Sequence, residues 1–284
     1  MIKNSMSLKA KINNIAKEQK ISPQAVMQTY MLERLLERIS ISEYKDNFIL
    51  KGGMLISSIV GIDSRSTMDM DTTIKGFKLD IENLTNILQK IINIDIDDNV
   101  KFKILDIDNI RPDDDYGGLR IHLQANFDEM PVDLKIDVTT GDKITYGEIN
   151  YTYNLLLEER SIEIWTYNVE TIVAEKYETI IKRNILNTRI RDFYDLYMLT
   201  HLDKQNISNK MLVQAIKETS KHRESYNIIN DKNTVEEVII SIKNDKDLKQ
   251  QWNKYQKNYE YAKEIKYEQL VESISSIKEI FFHI

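Results

Sequence analysis

The 284-residue chain contains no cysteine, three prolines, eight glycines and four histidines. The absence of cysteine excludes disulfides, thiolate zinc sites and a cysteine nucleophile. Few prolines and glycines favour a helix-rich protein with few long loops. The histidines show no spacing typical of metal ligands, so we assign them no role.

Long apolar runs are also missing. No uninterrupted run approaches the roughly 18 residues that a membrane helix needs, and the first residues lack the apolar core of a signal peptide. We therefore expect a cytoplasmic protein with no membrane partner. The net charge is −6, so a nucleic acid would have to bind a local basic patch. A hydrophobic content of 42% with 30% charged residues is typical of globular proteins, and the length favours two domains.

Two helices are predicted at the N-terminal end. Ser7 is the expected N-cap of the first helix, and Ser22-Pro23 opens the second, because serine suits the cap and proline the first helical position. The second helix has an apolar stripe that packs on a core. Its charged side chains are expected to face solvent: Glu33, Arg34, Glu37 and Arg38.

Gly52 and Gly53 indicate a phosphate-binding loop. They follow the apolar residues 48–50 and precede an apolar segment, 54–60, with room for about two helical turns before Gly61. The order strand, Gly-Gly, helix exposes backbone N–H groups at a positive helix end, where a phosphate is stabilised. A Gly-Gly pair alone is weak support for this function.

An acid pair follows the loop. In the alternating segment 67–74, a strand would place Asp69 and Asp71 on one face. Two carboxylates this close raise each other's pKa unless a cation lies between them. The arrangement therefore suits Mg²⁺, which prefers oxygen ligands. A surface strand with two solvated aspartates fits the same pattern.

A third carboxylate is available on a predicted hairpin with arms at 119–127 and 132–139. Apolar and polar residues alternate in the second arm, with Asp133, Lys135 and Asp137 on the polar face. Asp137 would join Asp69 and Asp71 if the two strands were neighbours with the same face exposed. Asp133, about 6.5 Å away along the strand, is the competing candidate.

A basic segment begins on the helix that Asn168 is expected to cap. Its positive residues are Lys176, Lys182, Arg183, Arg189 and Arg191. Basic side chains beside an acid-lined metal site suit a triphosphate, because the polyanion needs more neutralisation than Mg²⁺ supplies. Ordinary ion pairs, such as Arg189 with Asp192 one turn away, would explain the segment equally well.

These motifs together resemble the AbiEii/AbiGii toxin family, the nucleotidyltransferase-like toxins of abortive-infection toxin–antitoxin systems. The resemblance extends over about residues 22–200 and rests on the ordered segments 51–55, 65–71, 135–138, 174–176 and 187–196. One departure is Met54, which replaces the small hydroxyl residue common after the glycines in this superfamily. Backbone N–H groups are then the donors that remain at that position to bind a phosphate.

The resemblance implies an α+β fold with a polymerase-β-like nucleotidyltransferase core, a mixed sheet with flanking helices, followed by a helical C-terminal domain. We predict N-terminal helices at 1–46, the core at 47–167 and the helical domain at 168–284. The implied metal ligands are Asp69, Asp71 and Asp137, with Lys176 and Asp192 as the functional lysine and aspartate of the later motif.

The predicted function is Mg²⁺-dependent transfer of a nucleotidyl group from an NTP to RNA, with a tRNA 3′ end as one candidate acceptor. Growth arrest and a cognate antitoxin are implied by the resemblance. We assign nucleotide binding to Lys51, Gly52, Gly53, Arg65 and Lys176, and acceptor binding to Arg189 and Arg191. The alternatives are a nucleotide-binding regulator without turnover and a transferase that modifies proteins.

The C-terminal third has apolar and aromatic residues at helical spacing, interleaved with lysines. We interpret Trp252, Tyr255 and Tyr259 as core residues, while stacking on RNA is the alternative.

Overall fold

A computed structural model describes residues 4–110, 117–202 and 207–283. The chain divides into two compact units, Met1–Asp142 with Ile149–Thr166, and Lys143–Glu148 with Tyr167–Ile284. The first unit contains a seven-stranded sheet and the second consists mainly of helices. This architecture confirms the predicted α+β class. Every helix in the described ranges is too short or too polar to cross a bilayer.

In the described ranges, the first unit combines the sheet with four α-helices. Its helices are α1 Ser5–Glu18, α2 Pro23–Ile41, α3 Gly52–Val60 and α4 Ile81–Ile92. Its strands are β1 Phe48–Lys51, β2 Asp69–Ile74, β3 Val100–Ile110, β4 Gly118–Phe127, β5 Met130–Thr140, β6 Ile149–Asn154 and β7 Ser161–Thr166.

The strand order is β3-β4-β5-β2-β1-β7-β6. The pairs β2–β5 and β1–β7 are parallel, and the other neighbours are antiparallel. The sheet is therefore mixed. Helix α2 packs on it through buried apolar residues, and α4 packs against β3 and α2.

Helix caps were predicted with mixed success. Ser22 caps α2, because its hydroxyl accepts from the Ala25 N–H at 3.1 Å. The prediction for Ser7 was wrong. Asn4 is the N-cap of α1, and the N–H of Ser7 donates to Asn4 Oδ1 at 2.8 Å. Both are good capping residues, and α1 begins one turn earlier than its apolar stripe indicates.

The predicted solvent-facing charges of α2 are buried, which corrects the sequence analysis. Each has its partner in a segment that the helical pattern does not reveal. Arg38 donates to both carboxylate oxygens of Asp98, at 2.7 and 2.8 Å, in the loop before β3. Arg34 Nη1 donates to Glu158 between β6 and β7 at 2.9 Å. The exposed fractions of the four are small: Glu33 1%, Arg34 1%, Glu37 9% and Arg38 2%.

Glu33 differs from the other three because its hydrogen-bond donors are neutral groups. Its carboxylate accepts from the Leu156 N–H at 3.1 Å and from the Tyr153 hydroxyl at 3.3 Å. Burial raises the pKa of Glu33 to about 8, because removal from water disfavours the charged form. The side chain is therefore largely protonated at neutral pH.

The second unit consists of α5 Val169–Arg183, α6 Ile190–Leu202, α7 Asn209–His222, α8 Tyr226–Ile229, α9 Lys232–Asn244, α10 Lys246–Asn258 and α11 Tyr267–His283. Asn168 caps α5 as predicted, accepting from the Thr171 N–H at 2.9 Å. Trp252 and Tyr255 are buried, which confirms core packing for both, whereas Tyr259 is half-buried.

Candidate active site

The three predicted metal-binding aspartates lie on one face of two adjacent strands. In the parallel pair β2–β5, Asp71 lies opposite Asp137 and Asp69 lies opposite Lys135. Residues in register project from the same face, as do residues two apart on one strand. Asp69, Asp71 and Asp137 therefore form one group, which we call the acid row.

Asp133, the competing candidate, lies away from the acid row. It is four residues before Asp137 on β5, beyond the first paired residue of β2, and it faces Gln124 of β4. Gln124 Nε2 donates to Asp133 Oδ1 at 3.1 Å. The register thus brings Asp137 and not Asp133 beside Asp71.

Two basic side chains neutralise part of the charge of the acid row. Lys135 Nζ lies 3.0 Å from Asp69 Oδ1. Arg120 of β4 donates from Nε and Nη2 to the two oxygens of Asp137, each at 2.8 Å. The hydrogen bond to Asp137, with the charges of the other two aspartates, raises the pKa of Arg120 above its usual value. The sequence analysis assigned no function to either basic residue.

The acid row fits a divalent cation by the chemistry of its donors. Its six carboxylate oxygens are hard ligands of the kind that Mg²⁺ prefers, and they lie on one sheet face. Within the described ranges, no three acidic or histidine side chains converge into a chelating group. The carboxylate of Asp69 points towards Lys135 and that of Asp137 towards Arg120, and these ion pairs explain why the three carboxylates do not converge.

The Gly-Gly loop lies against the acid row. Helix α3 begins at Gly52, which has a φ of +64° and so adopts a backbone conformation that suits glycine. A β-carbon built on Gly52 would lie only 2.2 Å from Asp71 Oδ2, so a side chain is excluded there. The Gly53 N–H makes a long contact of 3.4 Å to the same oxygen. The positive end of α3 is thus directed towards Asp71.

Lys51 and Arg65, the predicted nucleotide-binding basic residues, are both engaged within the first unit. Lys51 Nζ lies 2.6 Å from Asp142 Oδ2 and from Thr139 Oγ1. Burial alone would raise the pKa of Asp142, but Lys51 and the neighbouring hydroxyls lower it to about 2. Arg65 is 3% exposed, and its guanidinium packs behind Gly53. Their roles in nucleotide binding stay predictions.

Lys176 forms a buried ion cluster within the second unit. Its ammonium lies 2.6 Å from Asp192 Oδ1 and 2.9 Å from Asp195 Oδ2, both on α6. Burial opposes the lysine charge, but the two carboxylates outweigh it and raise the pKa of Lys176 above its usual value. Sequence reasoning missed Asp195, although its spacing of three from Asp192 places both on one helix face.

The two predicted acceptor-binding arginines differ in their surroundings. Arg189 is exposed. Arg191 is half-buried and donates from Nη2 to the Tyr259 hydroxyl at 2.7 Å. The ion pair between Arg189 and Asp192, considered as an alternative, is replaced by the contact of Asp192 with Lys176.

Comparisons with known proteins point to one family. The model of the family described as "Nucleotidyl transferase AbiEii toxin, Type IV TA system" matches residues 34–273. No curated protein gave a significant match. The crystal structures of JHP933 from Helicobacter pylori and of a "putative nucleotidyltransferase" from H. pylori each align with a TM-score of 0.49. They are 16% and 17% identical to this chain, and the alignments cover 92% of it and 94% and 97% of theirs.

Proposed function

The chain belongs to the AbiEii family of nucleotidyltransferase toxins, and from this membership we propose that it transfers a nucleotidyl group from an NTP to an RNA 3′ end in a Mg²⁺-dependent reaction. The outcome of this transfer is growth arrest, and the cognate antitoxin of the toxin–antitoxin system prevents it. A tRNA is one candidate acceptor.

The observation that carries the proposal is the register of β2 and β5, which sets Asp71 beside Asp137 with Asp69 on the same face. These three carboxylates would hold Mg²⁺. Bound there, the metal would lower the pKa of the attacking hydroxyl and stabilise charge in an in-line phosphoryl displacement. Lys135 and Arg120 hold Asp69 and Asp137 by ion pairs on the same face.

The N-terminus of α3 supports binding of the NTP phosphates. Side chains of the first unit already fill the space beside Gly52 and Gly53, so neither position has room for a side chain of its own. The backbone N–H groups of the two glycines supply donors that Met54 cannot offer with its side chain. Lys51, next to Asp71 in register, adds a cation at the same level of the sheet. Phosphate would compete with Asp142 for this ammonium.

Lys176 and Asp192 are the second set of residues that the family resemblance assigns to the reaction. The contact of 2.6 Å between them supports a role for Asp192 in orienting the lysine, and Asp195 supplies a second carboxylate for the same purpose. Contact of Asp192 with the acceptor, the alternative, is less compatible with a side chain that is only 10% exposed.

One labelling experiment tests the proposal. Purified protein is incubated with α-³²P-labelled NTPs, Mg²⁺ and total RNA, and label is followed in RNA and in protein. We expect label in RNA, sensitive to removal of the 3′ hydroxyl. Label in protein would favour a protein-modifying transferase, and nucleotide binding without transfer would favour a regulator. The Asp71→Asn variant serves as the inactive control.

Growth provides the second test. Induced expression of the wild type should arrest growth, and Asp71→Asn expressed to the same level should not. Equal arrest by both proteins would show that toxicity does not depend on the acid row.

A further inference from the structure

We propose that Arg120 binds a phosphodiester of the acceptor RNA, on the opposite flank of the acid row from the Gly-Gly loop. This inference rests on the proposed function, because it takes RNA as the acceptor. Nothing in the sequence pattern singled out this arginine. Its position follows from the register of three neighbouring strands.

The first observation is the direction in which Arg120 presents its donors. The Nε and Nη2 atoms are held by the two oxygens of Asp137, at 2.8 Å each. A guanidinium has a second edge, formed by Nη1 and the remaining Nη2 hydrogen, that can bind a phosphate bidentately. In the described part of the chain no residue accepts from Nη1, and the side chain is 37% exposed. Asp137 therefore fixes the orientation of the arginine and leaves its second edge accessible.

The second observation is the order of charges across the sheet. At one level, Lys51 of β1 is followed by Asp71 of β2, Asp137 of β5 and Arg120 of β4. With strands about 4.8 Å apart, the two cations lie on strands about 14 Å from each other, with the two acids between them. The acid row is thus flanked by a cation on each side.

The third step is the geometry of the reaction. In an in-line displacement the attacking and leaving oxygens lie on opposite sides of the phosphorus. If the triphosphate occupies the side of the Gly-Gly loop, next to Asp71, the acceptor must approach from the side of Asp137. Arg120 is the basic residue next to Asp137 on that side, so Arg120 binds the nearest phosphodiester of the acceptor.

The neighbouring acids do not prevent this binding. Asp108 lies opposite Arg120 on β3, but its carboxylate is 3.4 Å from His122 Nε2. Lys135 lies on the same sheet face, one level below. Lys135 thus offsets part of the carboxylate charge around Arg120 through its ion pair with Asp69, and the arginine keeps an exposed edge for an anion.

The test compares Arg120→Gln with a matched control, Arg160→Gln. Arg160 is also in the first unit, its side chain is 38% exposed, and it donates from two nitrogens to the carboxylate of Glu37. Binding of a short, fluorescently labelled, single-stranded RNA of mixed sequence is measured by anisotropy. Binding of a non-transferable NTP analogue with Mg²⁺ is measured by calorimetry.

We expect Arg120→Gln to raise the RNA dissociation constant about tenfold, equivalent to about 1.4 kcal/mol. The slope of log K against log salt should become shallower by about 0.7, the value for one phosphate contact on a single strand. The RNA dissociation constant of Arg120→Lys should lie between those of Arg120→Gln and the wild type, because lysine keeps the charge but lacks the paired N–H donors of the guanidinium. Affinity for the NTP analogue with Mg²⁺ should not fall, because Asp137 released from its arginine is the better metal ligand. Arg160→Gln should bind both ligands like the wild type.

Other outcomes would overturn the inference. Weaker binding of the NTP analogue with unchanged RNA binding would assign Arg120 to the nucleotide. No change in either would leave Arg120 only as the counter-ion of Asp137. RNA binding is repeated with EDTA in place of Mg²⁺, since a loss seen only with Mg²⁺ would trace to the acid row. If the wild type binds no RNA, the proposed acceptor class fails first, and this inference fails with it.

Discussion

Replacement of Lys176 by methionine should destabilise the second unit by about 3 kcal/mol. The substitution keeps the length of the side chain and removes its charge. It takes the Lys176 ammonium away from the carboxylates of Asp192 and Asp195, which are 10% and 0% exposed. Breaking a buried pair by removing one partner costs about 3–5 kcal/mol. We take the lower value because one of the two carboxylates can become protonated.

Urea unfolding measures this loss. A Trp165→Phe background leaves Trp252, which is buried in the second unit, as the fluorescent reporter. The unfolding midpoint of Lys176→Met should fall while the slope with denaturant stays unchanged. For a unit of about 124 residues, about 3 kcal/mol corresponds to a melting temperature roughly 12 °C lower.

A charge-free variant provides the control. Lys176→Met combined with Asp192→Asn and Asp195→Asn removes all three charges, and it should regain most of the lost stability, because no uncompensated charge remains. A loss below about 1 kcal/mol for Lys176→Met would mean that the cluster behaves like a surface ion pair and refute the reasoning. A charge-free variant as unstable as the single variant would refute it as well.

Three further predictions concern the first unit. Asp71→Asn should lower nucleotidyl transfer by more than about 100-fold, because it removes a ligand from the acid row, while Asp133→Asn should keep a rate near that of the wild type. The reverse ranking in a transfer assay would show that the acid row is misassigned. Lys135→Gln should lower the Mn²⁺ dissociation constant about two- to fivefold, as expected when a half-exposed ion pair worth about 0.5–1 kcal/mol stops competing for Asp69. Unchanged or weaker Mn²⁺ binding in calorimetry would contradict this. The stability of the wild type should fall as the pH rises from about 4.5 to about 8, because the folded state keeps a proton on Glu33 that the unfolded state releases in this range. Glu33→Gln should remove this fall. The urea midpoint should drop more for the wild type than for Glu33→Gln between the two ends of this range. Equal drops in the two proteins would show that Glu33 is not protonated in the folded state.

Local patterns predicted most of the elements. The alternation in 67–74 and 132–139 predicted strands that the structure contains as β2 and β5, and Ser22-Pro23 predicted the start of α2. The burial of the α2 charges could not be predicted in this way. A helical period gives the direction of a side chain, but Asp98 and Glu158, which cover that face, come from distant parts of the chain.

The acid row was predictable as a set of candidates and not as a geometry. Sequence reasoning left Asp137 and Asp133 open, because the choice depends on the register of β2 against β5. The partners Arg120 and Lys135 depend on the same long-range pairing. Asp195 differs, because its spacing from Asp192 on one helix is a local signal that could have been used.

The parallel pairing of β2 with β5 also bears on the order of folding. Ile74 and Thr140 pair in register although 66 residues separate them in the chain. Closing a flexible loop of that length costs about 4 kcal/mol of chain entropy before any contact offsets it. Such pairings form slowly compared with helices and hairpins. A nascent chain on the ribosome therefore carries Asp69 and Asp71 well before Asp137 can join them, so the acid row is complete only after β5 has docked beside β2.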